Sequence, residues 1–321
     1  YRIEHQWSLP AKLEADMDIH IPTGQRFIEM QRPGRSEHRA ILRIVTNISL
    51  ARGARRLEFR TRVFNTIKDH RLRVVFPTGV AADEQCADSP FDIVTRPVAR
   101  PDDRGWCEEA IRTWPSQSFV DVAEGNHRKK PQKSQRGLAV LHAGIPEYEV
   151  FDDPTRSIAL TLLRSFSAAG GVADTFTPQP LAQMQGEHEF RYAVHPHAGH
   201  CRAARLWREA REFTVARRVV QCSAHRGDLP WAGRSFVRVD SEDLVVTAFK
   251  QSEDGKATVL RCFNPTRSKV RATIYLDRPV VSATILTLEE LPVAELPVAH
   301  GAVSIAVAPG QITSVRMTGT K

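Results

Sequence analysis

The run Leu57-Glu58-Phe59-Arg60-Thr61-Arg62-Val63 decides the fold class, because Leu57, Phe59, Thr61 and Val63 fall on one side of an extended backbone and Glu58, Arg60 and Arg62 on the other. Such alternation describes a strand with one face on a core and one in water. Working outward, the same period predicts strands at 41–50, 71–76, 137–141, 158–163, 188–194, 244–249 and 259–263, with more to the end of the chain. Tyr1, Ile3, His5, Trp7 and Leu9 alternate in the same way, so the chain opens on a strand already under way, without a methionine, and reads as a fragment. The triplets PTG (77–79), HAG (142–144), EDG (253–255), NPT (264–266) and APG (308–310) supply turns between strands.

Helical periodicity is scarce, which favours sheets packed face to face over an α/β fold. One exception stands out near 201–214, where Ala203, Leu206, Trp207, Ala210 and Phe213 share a face at 3.6-residue spacing. The stretch HRGDLPWAGR (225–234) gathers Gly, Pro and charge, and marks a boundary before the last run of strands. The expected fold is mainly β, with a large β-sandwich (supersandwich) over 1–230, a smaller C-terminal β-sandwich over 231–321, and one prominent amphipathic helix.

The composition, 41% hydrophobic and 26% charged over 321 residues, is that of a globular chain able to bury a core. The charge of +8 permits attraction to anions, but no aromatic interleaving or helix-turn-helix pattern accompanies it, so no nucleic-acid partner is expected. No apolar run approaches the ~18 residues of a membrane span, and no membrane partner is expected. The cysteines at 86, 107, 201, 222 and 262 are odd in number and without CxxC spacing, which suits a reducing, cytoplasmic setting better than a disulfide framework.

Three groups of residues invite chemistry. The loop EGNHRKKPQKSQRG (124–137) carries Arg128, Lys129, Lys130, Lys133 and Arg136 with no large apolar residue; it is either a clamp for anions or a solvated hairpin insertion. The segment GEHEFRYAVHPHAGHC (186–201) offers His188, His195, His197, His200 and Cys201 as metal ligands. It lacks HExxH spacing, since Tyr192 stands where the second histidine would, and His195 and His197 are expected on opposite sides of a proline turn, so no metal site is assigned. Glycoside hydrolysis needs two carboxyl groups flanking a bond. Adjacent pairs such as Glu108 with Glu109, Asp152 with Asp153, and Glu289 with Glu290 point to opposite faces of an extended chain, so no catalytic residue is assigned. Trp106 and Trp114 could each stack on a sugar ring or close a sheet core.

Several stretches together resemble bacterial family 38 α-mannosidases: NTIKDHRLRVVFPTG (65–79), WPSQSFVDV (114–122), GLAVLHAGIPEYEV (137–150), SIALTLLRS (157–165), GEHEFRYAVHPHAG (186–199), FKQSEDGKATVLRCFNPT (249–266) and VAPGQITSVRM (307–317). The resemblance implies the C-terminal β region of a retaining glycoside hydrolase acting on α-mannosides. It also implies, outside this chain, an N-terminal catalytic domain and helix bundle as its partner, with the nucleophile and a zinc cofactor there and no cofactor here. Mannosylglycerate hydrolase is a relative within that family, and an independent carbohydrate-binding module is the rival expectation; homo-oligomerisation stays open. By position the loop from Phe151 to Arg156 resembles a substrate-rim loop, which makes Asp152, Asp153 and Arg156 rim residues, with Trp106 and Trp114 as further candidates.

Overall fold

A computed structural model describes residues 1–14, 34–106, 110–125, 135–170, 176–227, 230 and 233–319. The chain divides into two compact units, one of Tyr1–Ala87 with Thr95–Thr214, the other of Asp88–Val94 with Val215–Lys321.

The first unit is built on an eight-stranded antiparallel sheet in the order Arg2–Pro10, Arg39–Ser49, Leu57–Asn65, Gly186–Ala198, Arg136–Ala143, Phe119–Ala123, Glu84–Ser89, Asp92–Pro97. A four-stranded sheet, Arg71–Phe76, Ile158–Arg164, Glu147–Val150, Trp114–Pro115, supplies the second layer. The period-two reading has its physical counterpart here. Leu42, Ile44 and Val63 from the large sheet and Tyr148, Ile158 and Leu160 from the small one form a single buried core. The polar faces of the same strands carry ion pairs such as Arg43–Glu4 (2.6 Å) and Arg60–Glu189 (2.8 Å).

The opposite face of the large sheet is covered in part by α1 (Leu206–Thr214), the one α-helix among the described residues. Leu206, Trp207, Ala210 and Phe213 are buried as the 3.6-residue spacing predicted, and the helix packs on the Arg136–Ala143 and Phe119–Ala123 strands. It starts later than the expected 201. Residues 201–205 form turns, Arg205 adopts φ +50°, and Ala203 is left exposed.

The second unit is a smaller sandwich. A four-stranded sheet (Val237–Val239, Val270–Leu276, Ala302–Val307, Val298–Ala299) faces a five-stranded one (Val245–Gln251, Thr258–Phe263, Ile312–Gly319, Val280–Leu286, Pro292–Leu296) over Leu260, Ile274, Val303 and Val315. Its NPT turn is tied to the core by Asn264, wholly buried, whose Nδ2 donates to the carbonyls of Ser268 (2.8 Å) and Val307 (2.9 Å) while Oδ1 accepts the Thr266 N–H (2.9 Å). Asn264→Ala removes the amide from both carbonyls and takes the acceptor from the Thr266 N–H and hydroxyl. It is expected to cost about 2–3 kcal/mol in urea unfolding, and a loss under about 0.5 kcal/mol would mean that water replaces the amide freely.

Candidate functional site

A concavity of about 810 Å³ in the first unit lies between two loops. One wall is Ala81–Glu84, leading into the Glu84–Ser89 strand; the other is Asp152, Asp153, Pro154 and Arg156, in the turn joining Glu147–Val150 to Ile158–Arg164, and Gly125 completes the rim. The second wall is shaped by its own side chains. Asp153 Oδ1 accepts from the Thr155 N–H and hydroxyl (both 3.0 Å), as Asp does at a tight turn, and the Phe151 N–H closes the loop on the Ser157 carbonyl (2.9 Å). Partial burial raises the Asp153 pKa, but the hydrogen bonds from Thr155 and Ser157 outweigh it, so the carboxyl stays below its ordinary value and ionised at neutral pH.

Arg156 holds the two walls together. It sits at φ +47°, unusual for a side chain of its size, and its Nε donates to the Ala82 carbonyl (2.8 Å) while Nη1 reaches the Asp153 carbonyl (3.2 Å) and pairs with Asp152. The N–H groups of Thr78 and Gly79 add bonds of 3.1 and 3.0 Å to the Thr155 carbonyl. The lining thus carries the carboxylates of Asp83, Glu84, Asp152 and Asp153 against one guanidinium that is already engaged. Asp83 is fully exposed, and Glu84 Oε2 is buried without a hydrogen-bond partner among the described residues. Such a surface accepts hydrogen bonds from hydroxyl donors and repels anions.

Asp152, Asp153 and Arg156 are therefore brought together on one cavity, while Trp106 and Trp114 are not on its lining. Trp106 is exposed beside a turn, its N–H on the Asp103 carbonyl (3.0 Å). Trp114 packs against the sandwich core with the Arg96 guanidinium 5.0 Å from its ring centroid. Of the basic loop, Arg128, Lys129, Lys130 and Lys133 lie outside the described residues, as do Glu108 and Glu109. Arg136 is engaged by Glu124 Oε1 through Nε (2.9 Å) and Nη2 (2.6 Å), and Glu290 by Lys250 (2.7 Å). Asp83 and Glu84 had no signal in the sequence, since AADEQ (81–85) matches no motif and meets the 152–156 turn only through the fold.

The histidine segment has a different arrangement from the one expected. The Gly186–Ala198 strand runs through Pro196 with no turn, so His195 and His197 lie on the same face, their rings stacked 6.1 Å apart. His197 Nε2 bonds to Asp121 Oδ1 at 2.8 Å, and both side chains are buried. The ring reaches across the intervening strand because Gly137, its register partner, has no side chain; a Cβ there would come within 2.3 Å of the imidazole. Burial pulls the His197 pKa down, but the charge and hydrogen bond of Asp121 more than offset it, and the net shift is upward. His195, burdened mainly by burial, shifts downward. Cys201 is buried nearby, its thiol pushed up first by contact with Cys86 and then by burial. Among the described residues no group of three or more His, Cys, Asp or Glu is placed to hold a metal ion, and no helix is long and apolar enough to cross a membrane.

Comparison with known proteins bears on this architecture directly. Residues 11–174 match the pattern of the glycosyl hydrolases family 38 C-terminal domain, and residues 243–315 that of the glycosyl hydrolases family 38 C-terminal beta sandwich domain. A provisionally named mannosylglycerate hydrolase of Halalkalibacterium halodurans is 33% identical over 89% of this chain and 31% of its own length. Alpha-mannosidase 2C1 of Mus musculus is 23% identical over 85% of this chain and 24% of its own length. The crystal structure of an alpha-mannosidase from Enterococcus faecalis V583 superposes with a TM-score of 0.78 at 25% identity, covering 98% of this chain and 33% of that one. The chain spans about a third or less of each of these relatives. With the first pattern covering half of the chain and the second most of the smaller sandwich, the chain belongs to glycosyl hydrolase family 38, of which it forms the C-terminal β region.

Proposed function

We propose that the chain is the accessory β region of a retaining glycoside hydrolase acting on α-mannosides, and that the cavity between residues 81–84 and 152–156 forms part of the rim of its substrate cleft. The observation that carries this is the lining itself: the carboxylates of Asp83, Glu84, Asp152 and Asp153 gathered on one cavity, a surface suited to sugar hydroxyls. The names of the relatives support the substrate class. The N-terminal catalytic domain and helix bundle implied by the family would lie in the rest of the longer enzyme. Its zinc would be held there too; the described residues of this chain do not form a ligand set for it, and no step here runs through it. Two separate cores support a division into two domains, the expected boundary at 230 falling in the stretch between them, and cysteines left as free thiols are compatible with a cytoplasmic site of action.

In the longer enzyme, Asp83→Asn combined with Glu84→Gln is expected to raise KM for an α-mannooligosaccharide about three- to tenfold while kcat holds within about twofold, the pattern of lost uniform binding. A small aryl α-mannoside, too short to reach the rim, should be unaffected. An unchanged KM on the oligosaccharide would remove the cavity from the substrate path. A charged mannoside such as mannosylglycerate meets like charge at this lining, so the neutral class is favoured; faster turnover of mannosylglycerate by the double variant would measure that repulsion.

A further inference from the structure

Between α1 and the second sandwich, thirteen consecutive residues from Val215 to Gly227 are all exposed and belong to no helix or strand. Connections of this length without structure of their own are uncommon, and those that only span a gap are rich in Gly, Ser or Pro. This one begins VARRVVQC (215–222), with three β-branched residues and neither Gly nor Pro. Val215, Val219 and Val220 are 60%, 91% and 84% exposed, in a segment whose backbone makes no hydrogen bond to other backbone among the described residues. The composition is that of a strand, and the backbone is left without a neighbour to pair with.

We propose that Val215–Cys222 docks as an added strand on the N-terminal part of the longer enzyme. The inference rests on the proposal above that such a part exists. Its support is that the relatives are about three times as long as this chain, and that the segment falls between the stretches matching the two family patterns, 11–174 and 243–315. Strand addition pairs the idle backbone groups and covers the valines in one step. From 215 to 227 the segment carries Arg217, Arg218 and Arg226 and no acidic residue, so the receiving surface should be rimmed by carboxylates.

Cys222 provides a native reporter, being exposed where Cys86, Cys201 and Cys262 are buried. N-ethylmaleimide labelling resolved by peptide mass is compared between the 321-residue chain and the longer enzyme. Cys222 is expected to label at least about tenfold more slowly in the longer enzyme, with amide-exchange protection over 215–222 that is absent from the shorter chain. Val219→Asp with Val220→Asp should return labelling in the longer enzyme to the fast rate while Cys262 stays protected, a check that the second sandwich remains folded. Higher salt should speed labelling by weakening the arginine contacts. Equal rates in the two proteins would overturn the docking, as would protection in the shorter chain that grows with its concentration, which makes a second copy the occupant. Hydrolysis of an aryl α-mannoside by the same preparation separates the two proposals. Activity with a fast-labelling Cys222 sinks only the docking, and a protected Cys222 without activity sinks only the enzymatic assignment.

Discussion

Asp121→Ala is expected to destabilise the first unit by about 3–5 kcal/mol, because it leaves the His197 imidazole buried without its counter-charge. The carboxylate lies in the middle of Phe119–Ala123, a strand in which every residue is buried, and solvent has no direct route to replace it. Asp121→Asn keeps the shape and an acceptor, so it isolates the ionic part, and that part has a definite pH dependence. The folded pKa of His197 is raised above the reference value of 6.5, so the charged pair contributes fully below that pH and its contribution fades as pH rises through the folded pKa. The stability gap between the wild type and Asp121→Asn, measured by urea unfolding from pH 5 to 9, should be widest at the acid end. A gap that widens with pH would mean that the pair is not ionic. His195, with its pKa lowered, works in the other direction and penalises folding as pH falls below 6.5, so the gap between variants is the safer reading than the stability of the wild type alone.

The second large loss is expected at Trp207. Nine residues are too few for a helix to hold itself in water, so α1 exists because its apolar face is buried. Trp207 is 8% exposed on that face, and Trp207→Ala should cost about 3–5 kcal/mol, read from the midpoint and slope of chemical unfolding. Phe213 remains beneath the guanidinium groups of Arg56 (5.7 Å) and Arg191 (5.3 Å), which should keep the far end of the helix in place. A change below about 1 kcal/mol would demote the helix from core to covering.

The strands were legible because half-buried sheets impose a period of two: the observed Arg71–Phe76 matches the expected span, and Leu57–Asn65 and Ile158–Arg164 differ from theirs only at one end. Turns limited the rest. Proline after His195 suggests a chain reversal, yet pairing with the Leu57–Asn65 strand already ends at Val194, so Pro196 pairs only with the Arg136–Ala143 strand and its missing N–H falls on a local edge. Arg205 in the left-handed region delays the helix, which periodicity alone does not register. Resemblance led to Asp152, Asp153 and Arg156, but Asp83 and Glu84 share the cavity only through the fold, in which Arg156 and the Thr155 carbonyl bridge two loops more than seventy positions apart. Nothing local in AADEQ announces that.

The imidazole of His197, laid over Gly137 to reach Asp121, also constrains how the sheet comes together. The contact joins residues 76 positions apart and needs three strands in register at once, since sliding any of them by one residue turns its side chain to the other face. Contacts of such long range form late, after the chain has met the entropic cost of closing the loop, and they contribute little to the speed of folding. Interactions absent from the transition state act instead on the rate of escape from the native state. His197→Ala is therefore expected to raise the unfolding rate more than it lowers the refolding rate, as a latch on an assembled sheet would, in stopped-flow urea experiments.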